Sequence, residues 1–124
     1  MAKISILLDT DIFIDYFNTD RFHALFDSSR FIVYYSIITK KELLTKPGLR
    51  DNERASILAE LTRCRLIPLT VSIAARYSDL RRRYPQLEQS DALIAATALV
   101  KRLPLMTRNK RHFKVISDLT LFGE

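Results

Sequence analysis

The sequence predicts an α/β fold: three α/β/α layers around a central, mainly parallel sheet of four to five strands. Two observations carry that expectation. Short apolar runs bounded by polar turns recur at 4–8, 31–35, 65–69, 104–106 and, weakly, 119–122. Helical patterns lie between them, and strands alternating with helices imply a parallel sheet covered on both faces.

The first strand is the apolar run Ile4 to Leu8, which ends in Asp9-Thr10-Asp11. Residues 11–17 then place Ile12, Phe13, Tyr16 and Phe17 at helical spacing, and residues 21–28 do the same with Phe22, Leu25 and Phe26. The second strand, Phe31 to Tyr35, leads through Ser36 into a helix over 37–45, which Pro47-Gly48 stops. Residues 51–62 form the next helix, with Asp51 or Asn52 as its N-cap. The run at 65–69 is the third strand, and a helix over 71–83 ends before Pro85. Residues 90–102 are apolar on nearly every side, so that helix is packed on most sides. The strand at 104–106 ends in Thr107-Arg108-Asn109.

With 124 residues the chain is read as one domain, residues 1–124. A chain of that length buries roughly two thirds of its unfolded surface, enough for one core. No apolar stretch reaches the ~18 residues of a membrane helix, and the N-terminus lacks the tripartite pattern of a signal peptide. A cytoplasmic protein with no membrane partner is expected. Cys64 is the only cysteine, which excludes an internal disulfide and a thiolate metal site, and a packed, inert thiol is expected. The net charge of +6 and pI of about 9.7 favour a polyanionic partner such as nucleic acid. Cations are dense at Arg81-Arg82-Arg83, Lys101-Arg102 and from Arg108 to Lys114.

The chemistry lies where strands end. Open α/β sheets bind ligands at the carboxyl ends of their strands. Asp9 ends the first strand and is either an N-cap for the next helix or, with Thr10 capping instead, free for other work. Asp11 sits in the first helical turn, where an acid favours the positive helix end, with an accessory role in the site behind that. Thr39 to Glu42 fits a capping box. Ser36 is nevertheless the better cap, and Ser36, Thr39 and Glu42 then lie along one helix face. Asp91 follows Ser90, read as a cap, where it offsets the helix dipole, while nearby Glu88 reads as a solvated loop acid. Thr107, Asn109 and His112 form the last polar cluster; separately they read as turn residues and a half-buried structural His. Acids gathered from distant segments repel one another unless a cation holds them. Mg²⁺ or Mn²⁺ prefers such oxygen ligands. No Ser-His-Asp pattern, glycine-rich phosphate loop or zinc spacing competes.

These residues resemble the PIN-domain family, and within it the VapC-type toxins of toxin–antitoxin pairs. The stretch from Leu7 to Tyr16 is similar to the family's first motif, Ser36 to Leu43 to its second, Asp91 to Ala98 to its third and Leu105 to Phe113 to its fourth. The likeness spans nearly the full chain, in order and spacing. It implies a ribonuclease dependent on Mg²⁺ or Mn²⁺, with Asp9, Glu42 and Asp91 as the acidic metal site. Thr10, Asp11, Ser36, Thr39, Thr107 and Asn109 would position carboxylates, waters or the scissile phosphate. Arg108, Lys110 and Arg111 would attract the RNA backbone. The fourth motif departs from the pattern: many relatives carry an acid there, whereas this chain offers Asn109 and His112, which bears on how many ions are held.

Two alternatives stand beside this. Asp9-Thr10-Asp11 also fits the opening of haloacid-dehalogenase-like phosphatases, but those enzymes also need a positioned Lys, a late acidic pair and more chain, and after residue 100 only Asp118 and Glu124 are acidic. The other is a PIN-like module that binds RNA or protein without cleaving. The resemblance also implies a cognate antitoxin. Phe13, Phe17, Phe22 and Phe26 offer more aromatic surface than a small core requires, which suits a partner segment or, alternatively, a homodimer contact.

Overall fold

The computed structural model describes residues 2–123. Its elements run β1 (Ile4–Leu8), α1 (Thr10–Thr19), α2 (His23–Asp27), β2 (Phe31–Ser36), α3 (Ile37–Leu44), α4 (Asp51–Leu61), β3 (Arg65–Ile67), α5 (Val71–Arg83), α6 (Gln89–Lys101), β4 (Leu105–Met106) and α7 (Lys110–Phe113). The strands form one sheet in the order β3-β2-β1-β4, and every pairing is parallel. The expected parallel α/β/α architecture is present, with four strands. The weak fifth run makes only a bridge, Leu105 to Leu121, because it offers too few residues in register to extend the edge.

The period of two in each strand builds the layers. On β1, Leu7 points into one core while Ile6 and Leu8 point into the other. Tyr34 and Leu105 side with Leu7, whereas Val33, Tyr35 and Met106 side with Ile6 and Leu8. The Leu7 face is covered by α5 and α6, whose Ala92, Ala95, Ala96 and Ala98 are buried. The opposite face takes α1, α2 and α4 through Ile12, Phe13, Phe26, Ile57 and Leu61. Each large side chain buried here contributes about 1.5–3 kcal/mol relative to leaving it in water.

Much of the aromatic surface near the N-terminus belongs to this second core, which corrects the expectation of a surplus. Phe13 is fully buried, with ring centroids 5.5 Å from Phe26, 6.0 Å from Tyr35 and 6.2 Å from Phe17. Tyr16 stacks on Phe26 at 4.0 Å. Phe17 and Phe22 are half-buried against the same cluster.

Of the two readings open for the start of α1, the structure has Asp9 as the N-cap, accepting from the Thr10 N–H at 2.8 Å. Two other helix starts differ from expectation. Arg50 is the N-cap of α4; Glu53 reaches back to accept from the Arg50 N–H at 3.0 Å, leaving Asp51 and Asn52 inside the first turn. Glu88 is the N-cap of α6, so Ser90 and Asp91 lie within its first turn and Ser90 is no cap. The short α7, which begins after Asn109, has too few residues to show a period in the sequence. Among the described residues no helix is long and apolar enough to cross a membrane.

Candidate active site

Buried polar side chains mark one edge of the molecule. Among the described residues these are Asp9, Thr10, Ser36, Thr39, Thr97 and Thr107. Thr97 satisfies itself on α6 by donating to the Leu93 carbonyl. The other five lie at the carboxyl ends of β1, β2 and β4 or in the helical turns that follow. Burying polar groups costs free energy unless each finds a partner; here Asp9, Thr10, Thr39 and Thr107 partner one another, and Ser36 takes a backbone N–H.

Asp9 is the centre of that network. It is 5% exposed, and both its oxygens are used: Oδ1 accepts from the Thr10 N–H and Oδ2 from the Thr107 hydroxyl at 2.7 Å. The Thr107 hydroxyl in turn accepts from the Asn109 N–H at 3.0 Å, which fixes the loop after β4. Thr10 donates its single hydroxyl proton to Glu42 Oε1 at 2.8 Å. The contact of 2.9 Å between the Thr10 and Thr39 hydroxyls therefore has Thr39 as donor. Ser36 caps α3 by accepting from the Ile38 N–H, as its place after the strand suggested. Glu42 points to Thr10 rather than back along α3, so the capping-box reading of Thr39 and Glu42 does not hold.

A second set of contacts ties α1 to the β4–α7 loop. Asp11 accepts from the Arg108 N–H at 3.2 Å and from the Asn109 side-chain amide at 3.1 Å. Asp15, one turn further along α1, accepts from the guanidinium groups of Arg108 at 2.9 Å and Arg21 at 3.3 Å. Asp15 escaped sequence reasoning; its four-residue spacing from Asp11 was the available signal. His112 is exposed, not half-buried, and its Nδ1 lies 3.6 Å from Asp91.

The carboxylates are electrostatically strained. Burial, then the nearby charge of Asp11, pushes the Asp9 pKa up to about 7, with Asp91 adding to the effect. Asp11 is also raised, first by burial, although the Arg108 backbone hydrogen bond opposes the shift. Asp91 is raised by burial and then by Glu88, with His112 opposing. Each shift means that the folded environment disfavours the charged form.

Asp9, Thr10, Asp11, Glu42, Asp91 and Asn109 open onto one cleft of about 850 Å³. Among the described residues Asp9, Asp11, Glu42, Glu53, Glu88 and Asp91 line it, against the single cation Lys46. A chain with 20 Lys and Arg and 14 Asp and Glu thus inverts its charge balance at this one place. Glu88, expected as a solvated loop acid, is exposed but lines the same cleft.

The PIN domain family profile matches residues 6–119. The chain belongs to the PIN-domain family. Ribonuclease VapC1 of Methanocaldococcus jannaschii is 31% identical over 121 residues, covering 94% of this chain and 84% of that protein. Among solved structures, a toxin–antitoxin complex from Klebsiella pneumoniae superposes with a TM-score of 0.74 at 29% identity, over 93% of this chain and 95% of that one. VapBC2 from Rickettsia felis, bound to a promoter DNA fragment, shares the fold with a TM-score of 0.80 at 23% identity, over 95% and 97%. The match to this family sets the phosphatase alternative aside.

The donor chemistry of this PIN domain suits a divalent cation. Its carboxylates are hard oxygen ligands, and the upward shifts of Asp9, Asp11 and Asp91 are what an added positive charge would reverse. The acids do not close into a ready-made cage. Among the described residues no group of three Asp, Glu, His or Cys side chains is placed to hold an ion together. Asp9, Glu42 and Asp91 instead share the wall of one open cleft. It is compatible with Mg²⁺, which retains several waters and takes only one or two carboxylates directly.

Proposed function

We propose that this chain is a metal-dependent endoribonuclease and the toxin of a toxin–antitoxin pair. The observation that carries the reading is the gathering of Asp9, Glu42 and Asp91 in one negative cleft of a basic protein. Asp9 and Asp91 would hold Mg²⁺ or Mn²⁺, and Glu42 would orient the attacking water or hold a second ion. When bound, the ion neutralises developing phosphoryl charge and lowers the pKa of a bound water. Thr107 and Thr10 keep one Asp9 oxygen each engaged, so its carboxylate cannot rotate. Thr39, through Thr10, holds Glu42 at the cleft wall. Ser36 sets the start of α3 and hence the direction of Glu42, while Asp11 and Asn109 fix the β4–α7 loop. The reaction forms a bond from water oxygen to phosphorus and breaks the bond from phosphorus to the leaving ribose oxygen, which takes up a proton.

The partner reading follows from charge. A free ribonuclease harms its own cell, and an Arg or Lys from an antitoxin would pair with the strained acids in place of the ion. A complex formed with the antitoxin should therefore cleave poorly and bind Mn²⁺ weakly. The decisive test offers purified protein mixed RNA and, separately, a simple phosphate monoester, each with Mn²⁺. Cleavage of RNA alone, lost in Asp9→Asn and Asp91→Asn proteins, supports the reading. RNA binding without cleavage at any Mn²⁺ concentration would favour the module that has lost catalysis.

A further inference from the structure

The cleft is larger than a metal site needs, and its far wall is of a different chemistry. Beyond Asp9, Asp11, Glu42, Glu88 and Asp91 it runs between the C-terminal half of α1 and the first turns of α4, where, among the described residues, Glu53 is the one lining acid and is bonded to Arg50. There Phe17 and Ile57 supply apolar surface, and Asn18, Asn52 and Ser56 supply polar groups. Phe17 rests on Phe13 at 6.2 Å, so the core fixes its ring. The side-chain amides of Asn18 and Asn52 make no hydrogen bond, ion pair or ring contact with the described residues. Almost every polar side chain at the acidic end is engaged, yet these two are not.

We propose that this wall is a nucleobase subsite, which takes one unpaired base of a single-stranded RNA whose neighbouring phosphate lies at the acids. This deepens the ribonuclease reading and rests on it. The chemistry matches in three respects. A ring fixed by the core offers a stacking face, and single-stranded RNA is bound by splaying bases onto aromatic side chains. A carboxamide presents both a donor and an acceptor, the pairing that a base edge requires. Lys46, the one cation among the described residues of the cleft wall, lies in the connection from α3 to α4, where a phosphate of the same strand would pass. A paired base cannot enter such a wall, so the subsite selects loops and single strands over duplex.

The test uses the full chain and two measurements. The first is binding, with chelator present, of short single-stranded RNA homopolymers and of an abasic ribose-phosphate strand of equal length. The second is cleavage with Mn²⁺ of an RNA pool randomised around the cut. We expect intact strands to bind about tenfold more tightly than the abasic strand. An Asn18→Ala, Asn52→Ala double variant should shrink that gap and alter which base is preferred beside the cut; both positions are exposed, so folding should persist. Phe17→Leu should weaken every homopolymer alike. Equal binding of intact and abasic strands, or an unchanged base preference in the double variant, overturns the subsite. So does a double variant that loses only its grip on the antitoxin, which would make the wall a partner groove. Cleavage without base dependence would leave the ribonuclease reading standing and sink the subsite; base-dependent binding without cleavage would do the reverse.

Discussion

The two ends of the cleft differ in how far their side chains are committed. At the acidic end Asp9, Thr10, Thr39 and Thr107 are buried and bonded to one another, and Asp11 is bonded to Arg108 and Asn109. At the other end the side-chain amides of exposed Asn18 and Asn52 have no partner among the described residues. The difference follows from what each end is asked to hold. A buried carboxylate must be oriented by fixed donors, because a misplaced charge in a poorly solvated site is costly. A surface that exchanges its contents must keep its hydrogen-bonding capacity unspent.

The acidic end should therefore be the more sensitive to change. Asp9→Asn keeps a good N-cap but removes a charged oxygen donor. It should lower RNA cleavage by more than about 100-fold, above the range seen for outer-shell changes around metals. A single-turnover assay with Mn²⁺ checks this, and near-normal cleavage would place the reaction elsewhere. Thr10→Val should come next. It strips Glu42 of its donor and leaves buried Thr39 without its acceptor. Activity should fall by about tenfold and stability by about 1–2 kcal/mol, the latter read from urea unfolding.

A pH series tests the strain itself. The Asp9 pKa rises from 3.8 to about 7 on folding, and Asp11 and Asp91 move in the same direction. Between those values the folded protein binds more protons than the unfolded chain, so stability falls as pH rises. The Asp9 contribution to stability is full below pH 3.8 and is lost as pH passes through about 7, and the raised Asp11 and Asp91 act in the same direction. In chelator the unfolding midpoint should drop across this window, and the drop should be shallower in Asp9→Asn. A wild-type midpoint that climbs with pH would refute the strain.

Two smaller effects lie outside the acids. Arg111 is exposed on α7, so Arg111→Ala should reduce the salt slope of RNA affinity by about 0.7, the contribution of one phosphate contact to a single strand. Arg108→Ala should reduce it less, since Arg108 already pairs with Asp15. Cys64 lies away from the cleft, and burial pushes its thiol up to about 12. Alkylation at neutral pH should be slow, and Cys64→Ala should leave cleavage within about twofold of wild type, as expected of a residue outside the site.

The sequence by itself determined the order of strands and helices, and it put Asp9, Ser36 and Thr107 at strand ends. Those features follow from local rules: apolar runs of strand length, helical periodicity, and polar residues where an element stops. It also singled out Glu42 and Asp91, through motifs whose order survives without any contact being known. Only the tertiary structure decided what each polar group touches. Ser90 looked like a cap, but the backbone of α6 turns helical earlier, after Glu88. Thr39 and Glu42 lay along one helix face behind the Ser36 cap, but that both meet Thr10, 29 and 32 residues away along the chain, came only from the fold. Asp15 gave little sign of itself because Arg108, 93 residues on, reaches it only when α1 packs beside the end of β4, and Arg21 nearby would pair with it without marking a site. The charge of the cleft is the clearest case. Its six acids are spread from residue 9 to residue 91 in a basic chain, and nothing short of folding brings them to one place.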